Sequence, residues 1–63
     1  MNWQDHIISD KDILLGKPVV NGTRISVAHI VSLLAQGWSE QKILDNYPRL
    51  SANNIQAVIA YSE

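Results

Sequence analysis

Two helix starts with the same grammar lie close together in this chain, and they constrain its fold more than any other feature. Trp38-Ser39 is followed by Ile43, and Leu50-Ser51 is followed by Ile55. Each reads as an apolar N′ residue, a serine N-cap and an apolar N4 residue. The serine oxygen takes up a free amide of the first turn, and the two apolar side chains staple the entry of the chain. The spacing predicts one helix from Glu40 to about Asn46, ended by Pro48, and another from Ala52 towards the end of the chain. The connection is Tyr47-Pro48-Arg49-Leu50-Ser51.

A further helix precedes this pair. Ser26 is its N-cap, and Val27, Ile30, Val31 and Leu34 follow at i, i+3, i+4 and i+7, with Leu33 beside them. The helix is expected to run to Gln36. Gly37 then takes the left-handed C′ position, which sets Trp38 at C″ against Leu33. The expected fold is therefore mainly α: a three-helix, homeodomain-like helix-turn-helix bundle with a short N-terminal β element or hairpin. A plain three-helix bundle without a nucleic-acid role has the same pattern, because fold does not fix function.

The 63 residues allow a single domain, 1–63, divided into an extended β and turn segment, 1–25, and a helical part, 26–63. His6 to Ser9 is a strand candidate, and Asp10 to Asp12 suits a turn. In Val19-Val20-Asn21-Gly22-Thr23-Arg24-Ile25, the Asn-Gly pair predicts a tight ribbon with Val20 facing Thr23, both turn residues being tolerant of positive φ.

So short a chain buries a small fraction of its surface. It has no cysteine, which removes disulfides and cysteine-based metal sites. Charged residues are only 17%, so apolar surface is left outside. Self-association as a homodimer or higher oligomer is the expected supplement. The first nine residues lack the pattern of a signal peptide, and no apolar run reaches a bilayer-spanning length. A cytoplasmic location without membrane contact is expected.

No cofactor, metal or catalytic site is expected. The glycines are isolated, Ser26, Ser39 and Ser51 are caps, and His6 and His29 lie far apart. The chemistry points to binding rather than catalysis. The net charge of −1 gives no basic footprint over the whole chain. Arg24 reads either as a solvent-facing residue or as a clamp for phosphate or carboxylate. With Ile55 turned inward, the core stripe of the last helix is Ile55, Val58 and Ile59. Asn53, Ala57 and Ala60 then face outward, flanked by Asn54, Gln56 and Tyr61, and no Lys or Arg lies on this helix. Its small side chains suit a helix-packing interface, a major groove, or helix formation alone. In a helix-turn-helix on DNA, Asn53, Asn54 and Gln56 are expected near bases. Ser51, Arg49, Lys42 and Arg24 are expected near phosphates. Val19, Val20, Arg24, Ala57, Ala60 and Tyr61 are the expected protein-contact residues.

Gly16-Lys17-Pro18-Val19-Val20-Asn21-Gly22-Thr23-Arg24-Ile25-Ser26-Val27, Gly37-Trp38-Ser39-Glu40-Gln41-Lys42-Ile43-Leu44 and Tyr47-Pro48-Arg49-Leu50-Ser51 together resemble the homeodomain-like family termed domain of unknown function 433. The resemblance runs from about Ile7 to Tyr61. Gly16, Lys17, Pro18, Gly22, Thr23, Arg24 and Ile25 match its best-marked segment, and Tyr47 and Pro48 match the second. Lys11 and Ser26 stand where Pro is common, and Asn21 replaces a residue that is often charged. The resemblance implies a VapB-type antitoxin. Such a protein neutralises a PIN-like nuclease toxin and binds its own operator DNA. The alternative is a protein-interaction module with no DNA binding. Many family members also continue past this C-terminus; if that tail binds the toxin, the toxin-binding part is expected to be missing or reduced here.

Overall fold

The computed structural model describes residues 2–62. A 3-10 turn at Trp3–Asp5 leads into β1 (Ile7–Ser9), a turn at Leu14–Gly16 and β2 (Pro18–Val20). Three helices follow: α1 (Val27–Ala35), α2 (Glu40–Asn46) and α3 (Ala52–Ser62). The architecture is the expected one, mainly helical with a short N-terminal hairpin.

The helix starts and stops follow local chemistry. The Ser26 hydroxyl accepts from the His29 amide (3.0 Å) and Ser39 accepts from the Lys42 amide (3.1 Å). Gly37 adopts φ 91°. That conformation lets the Trp38 amide donate to Leu33 O (3.1 Å) and the Gly37 amide to Leu34 O (3.0 Å), the paired bonds of a Schellman stop. At α3 the Ser51 hydroxyl accepts from the Asn54 amide (3.2 Å), and Asn54 Oδ1 accepts from the Ser51 amide (2.9 Å). This is a capping box with asparagine in place of the usual glutamate.

One core joins both strands and all three helices. Ile7 of β1, Val20 of β2, Val27, Ile30 and Leu33 of α1, Ile43 of α2, and Ile55 and Val58 of α3 are buried together. Leu50 and Trp38, the two N′ residues, pack on the same cluster. Ile30, Ile43 and Ile55 have no exposed surface, and each contributes about 1.5–3 kcal/mol by leaving water.

Three expectations are corrected. The first is partial and concerns the tight Val20–Thr23 ribbon: the Thr23 amide donates to Val20 O (3.0 Å) and closes the expected turn, but the Val20 amide does not return to Thr23. β2 pairs instead with β1, antiparallel, with Ile7 opposite Val20 and Ser9 opposite Pro18. The Val20 amide donates to Ile25 O (3.0 Å), and Val19 bridges to Ser26. Among Asn21 and Gly22 only the glycine has positive φ, 84°. The cause is Thr23, which is buried. Its hydroxyl donates to Val20 O (2.8 Å) and accepts from the Ile25 amide (3.0 Å), which braces the turn and carries the return pairing on to Ile25.

The second concerns helix faces. On α1, Leu33 is buried and Val31 is 36% exposed, so the inward stripe is Val27, Ile30 and Leu33. On α3, Ala57 is fully buried and Ile59 is 36% exposed. The N-terminal turn and β1 pack along that flank of α3, with the Trp3 and Tyr61 rings edge to face at 4.9 Å. The third correction follows: Val19, Val20 and Ala57 are core residues without exposed surface and present nothing to a partner protein.

The segment before β2 has a conformation that the sequence did not announce. Leu14, Leu15 and Gly16 have φ of 49°, 58° and 85°. Leu15 is 94% exposed. The Ser9 hydroxyl donates to Gly16 O and ties this left-handed turn to β1.

Candidate functional site

Asn53 is exposed at the first turn of α3, as an outward-facing reader should be. Gln56 is also exposed, and its Nε2 donates to Glu40 Oε2 (3.1 Å), which ties α3 to the first turn of α2. Asn54 is otherwise occupied. The Ser51 amide can only donate, so Oδ1 of Asn54 faces it and Nδ2 faces His6 Nδ1 at 3.3 Å. His6 Nδ1 is then the acceptor of this pair. Ser51 and Asn54 thus hold the helix start and His6, and of the expected base readers Asn53 is left with the freest side chain.

The expected phosphate contacts divide in two. Lys42 on α2 holds its Nζ 4.3 Å from the centroid of the Trp38 ring. Arg24 and Arg49 come together. Arg24 lies in the loop braced by Thr23, and Arg49 lies in the turn between α2 and α3. Both are exposed, and both line one cleft of about 390 Å³ with Ile8, Ile13, Asn21 and Gly22. Among the described residues, no carboxylate lines it.

A second surface is apolar. Pro18, Val27, Ala28, Val31 and Tyr61 line a groove of about 520 Å³ with Lys17 at its edge. Lys17 and Ser26 also line an adjoining hollow with Leu14 and Leu15. Of the expected protein-contact residues, Tyr61 and the half-buried Ala60 keep accessible surface on α3. Sequence reasoning missed Leu14 and Leu15 and set Val31 in the core stripe rather than in this groove. An unbroken Ile13-Leu14-Leu15 run ending in glycine was the available signal.

His29 Nε2 lies 2.8 Å from the Tyr47 hydroxyl, joining α1 to the end of α2. Among the described residues, no group of three or more His, Asp or Glu side chains is placed to hold a metal ion. Nor is any described helix long and apolar enough to cross a membrane.

Comparison with known proteins places these features in a family. The family described as "Protein of unknown function (DUF433)" matches residues 7–62. An uncharacterized protein, y4eO, of Sinorhizobium fredii (strain NBRC 101917 / NGR234) is 39% identical over 57 residues. The match covers 90% of this chain and 26% of that protein, so the chain spans about a quarter of its relative's length. No solved structure matches. The family match takes in both strands, all three helices and both arginines of the cleft, and this chain belongs to the DUF433 family.

Proposed function

We propose that this chain is an antitoxin-like binding protein of a type II toxin–antitoxin system. In this reading it neutralises a PIN-like nuclease and binds its own operator DNA through the helix-turn-helix, as a homodimer or within a toxin-bound assembly. It is a binding protein and not an enzyme. The observation that carries the reading is the first turn of α3. It follows the turn of a helix-turn-helix, its start is fixed by the Ser51–Asn54 box, and it leaves Asn53 exposed. A helix held in this way can present an asparagine fork to an adenine edge without first having to be ordered.

The test is a mobility shift with the DNA upstream of the chain's own gene and with scrambled DNA, at two salt concentrations, with and without the adjacent gene product. Preference for the upstream sequence is expected. Asn53→Ala relaxes that preference at particular base pairs, by about 1–3 kcal/mol for a bidentate contact. Co-expression with the adjacent gene product is expected to yield a complex and to relieve its toxicity. Equal, weak binding to both DNAs in both states would remove the operator half.

A second reading, a protein-interaction module without DNA binding, draws on the apolar groove beside Leu14 and Leu15 and on the absence of Lys and Arg from α3. Co-purification with a partner, together with no sequence preference on DNA, would favour it.

A further inference from the structure

We propose that the cleft between Arg24 and Arg49 is a phosphate-binding site that takes one phosphodiester group of a nucleic-acid backbone. The choice of a nucleic acid rests on the reading that α3 faces DNA. The anion site itself does not.

Arg24 and Arg49 are the only arginines of the chain. They come from distant segments, yet they line the same hollow, and among the described residues no acidic side chain lines it with them. In a protein of net charge −1 this concentrates positive charge at one place. Guanidinium forks match the oxygens of a phosphate bidentately, and two forks on one group give a directed contact that a single mobile lysine does not.

The backing of Arg24 is rigid. Thr23 is buried, and its hydroxyl bonds both Val20 O and the Ile25 amide, so the residue next to Arg24 is anchored to the core strand. Asn21 is anchored as well, its amide donating to His6 O at 2.7 Å. The Gly22 and Arg24 amides have no hydrogen-bond partner among the described residues, so the residues lining the cleft keep spare N–H donors. Gly22 sits at φ 84°, and a Cβ there would meet nothing within 4 Å. Its glycine therefore answers to the backbone conformation alone.

The position of the cleft favours a backbone phosphate over a cluster of protein carboxylates. Arg49 lies two residues before the N-cap of α3, the side from which a recognition helix and its flanking turn meet the duplex backbone. A phosphate held at the cleft would lie alongside the turn that introduces Asn53.

The experiment measures binding of the full chain to a short scrambled duplex by fluorescence anisotropy across a salt series. It is accompanied by amide NMR shifts on addition of inorganic phosphate and, separately, of a polyglutamate peptide. Arg24→Gln and Arg49→Gln are each expected to weaken duplex binding about tenfold, the loss of a charge-assisted contact. The double variant is expected to lose less than the product of the two, because both forks serve one group. Its slope of log affinity against log salt falls by about 0.9, the value for one phosphate. Arg24→Lys keeps the slope but not the full affinity. Lys17→Gln, in the other groove, leaves the two arginine effects unchanged. Inorganic phosphate is expected to move the Asn21 to Arg24 amides.

Strictly multiplicative losses, unchanged binding in the double variant, or shifts produced by polyglutamate and not by phosphate would overturn the proposal. Upstream-sequence preference that survives loss of both arginines would reject the cleft and leave the operator reading standing. Phosphate shifts at the cleft without any upstream preference would do the reverse.

Discussion

Leu15→Asn is expected to make this protein more stable, although it replaces a leucine with a polar residue. Leu15 has φ 58° and ψ 34°, a left-handed conformation that costs a side chain with an ordinary Cβ about 1–2 kcal/mol. Asparagine tolerates this region and recovers about 1 kcal/mol of that cost. The burial lost in exchange is small. Leu15 is 94% exposed, so of the roughly 1.5–3 kcal/mol that full burial of a leucine contributes, about 0.1–0.2 is at stake. The net gain of about 0.8 kcal/mol raises Tm by about 3–6 °C in a domain of this size. Leu14→Asn is the internal control. Its φ of 49° offers the same backbone relief, but it is 42% exposed and gives up about 0.9–1.7 kcal/mol of burial, so it comes out neutral to slightly destabilising. The assay is thermal unfolding followed by circular dichroism, at a dilute and at a high protein concentration. A Tm below wild type for Leu15→Asn in the dilute, monomeric sample would refute the strain argument. A gain in dilute solution that turns into a loss at high concentration would place Leu15 inside a contact between copies.

Other expectations follow from the same physics. Ser51→Ala removes one half of the reciprocal cap at α3 and lowers stability by about 1 kcal/mol in urea titration. Ile55→Ala opens a cavity under the second staple at a site with no exposed surface. It costs about 2–5 kcal/mol, enough to leave much of so small a domain unfolded at 25 °C by circular dichroism. Gly37→Ala meets no steric obstacle, yet it forces a Cβ to φ 91°, so unfolding measurements should show a loss of about 1 kcal/mol or more. Light scattering at micromolar concentration is expected to give a dimer mass or larger, and a clean monomer would count against self-association.

The helix boundaries were legible because caps and stops are local. Ser26, Gly37, Ser39 and Ser51 each act within four residues of themselves, and the structure places α1, α2 and α3 where those residues put them. The orientation of α3 was not legible from its own periodicity. Its 3.6-residue pattern cannot register the N-terminal turn and β1, which cover Ala57 from outside the helix and leave Ile59 at the surface. The Asn-Gly signature placed the turn but not the pairing beyond it, for a related reason. The Thr23 hydroxyl joins its own amide on Val20 O while the Val20 amide pairs with Ile25 O, a side-chain bond that a two-residue turn signature ignores. The two arginines were each noticed, but only the fold brings the loop before α1 beside the turn before α3.

The edge-to-face contact of Trp3 with Tyr61 joins the two ends of the described chain, so the path of the backbone is nearly a closed ring. A ring can be cut elsewhere. Linking the ends and opening the chain in the exposed stretch around Asp10 to Asp12 would leave the buried core intact, because no core side chain belongs to that stretch. The same closure fixes where anything fused to the domain must hang. A segment attached before Trp3 and a segment attached after Tyr61 leave from one edge of the molecule, the edge that carries the apolar groove lined by Tyr61. A fusion or tag after Tyr61 therefore starts beside that groove.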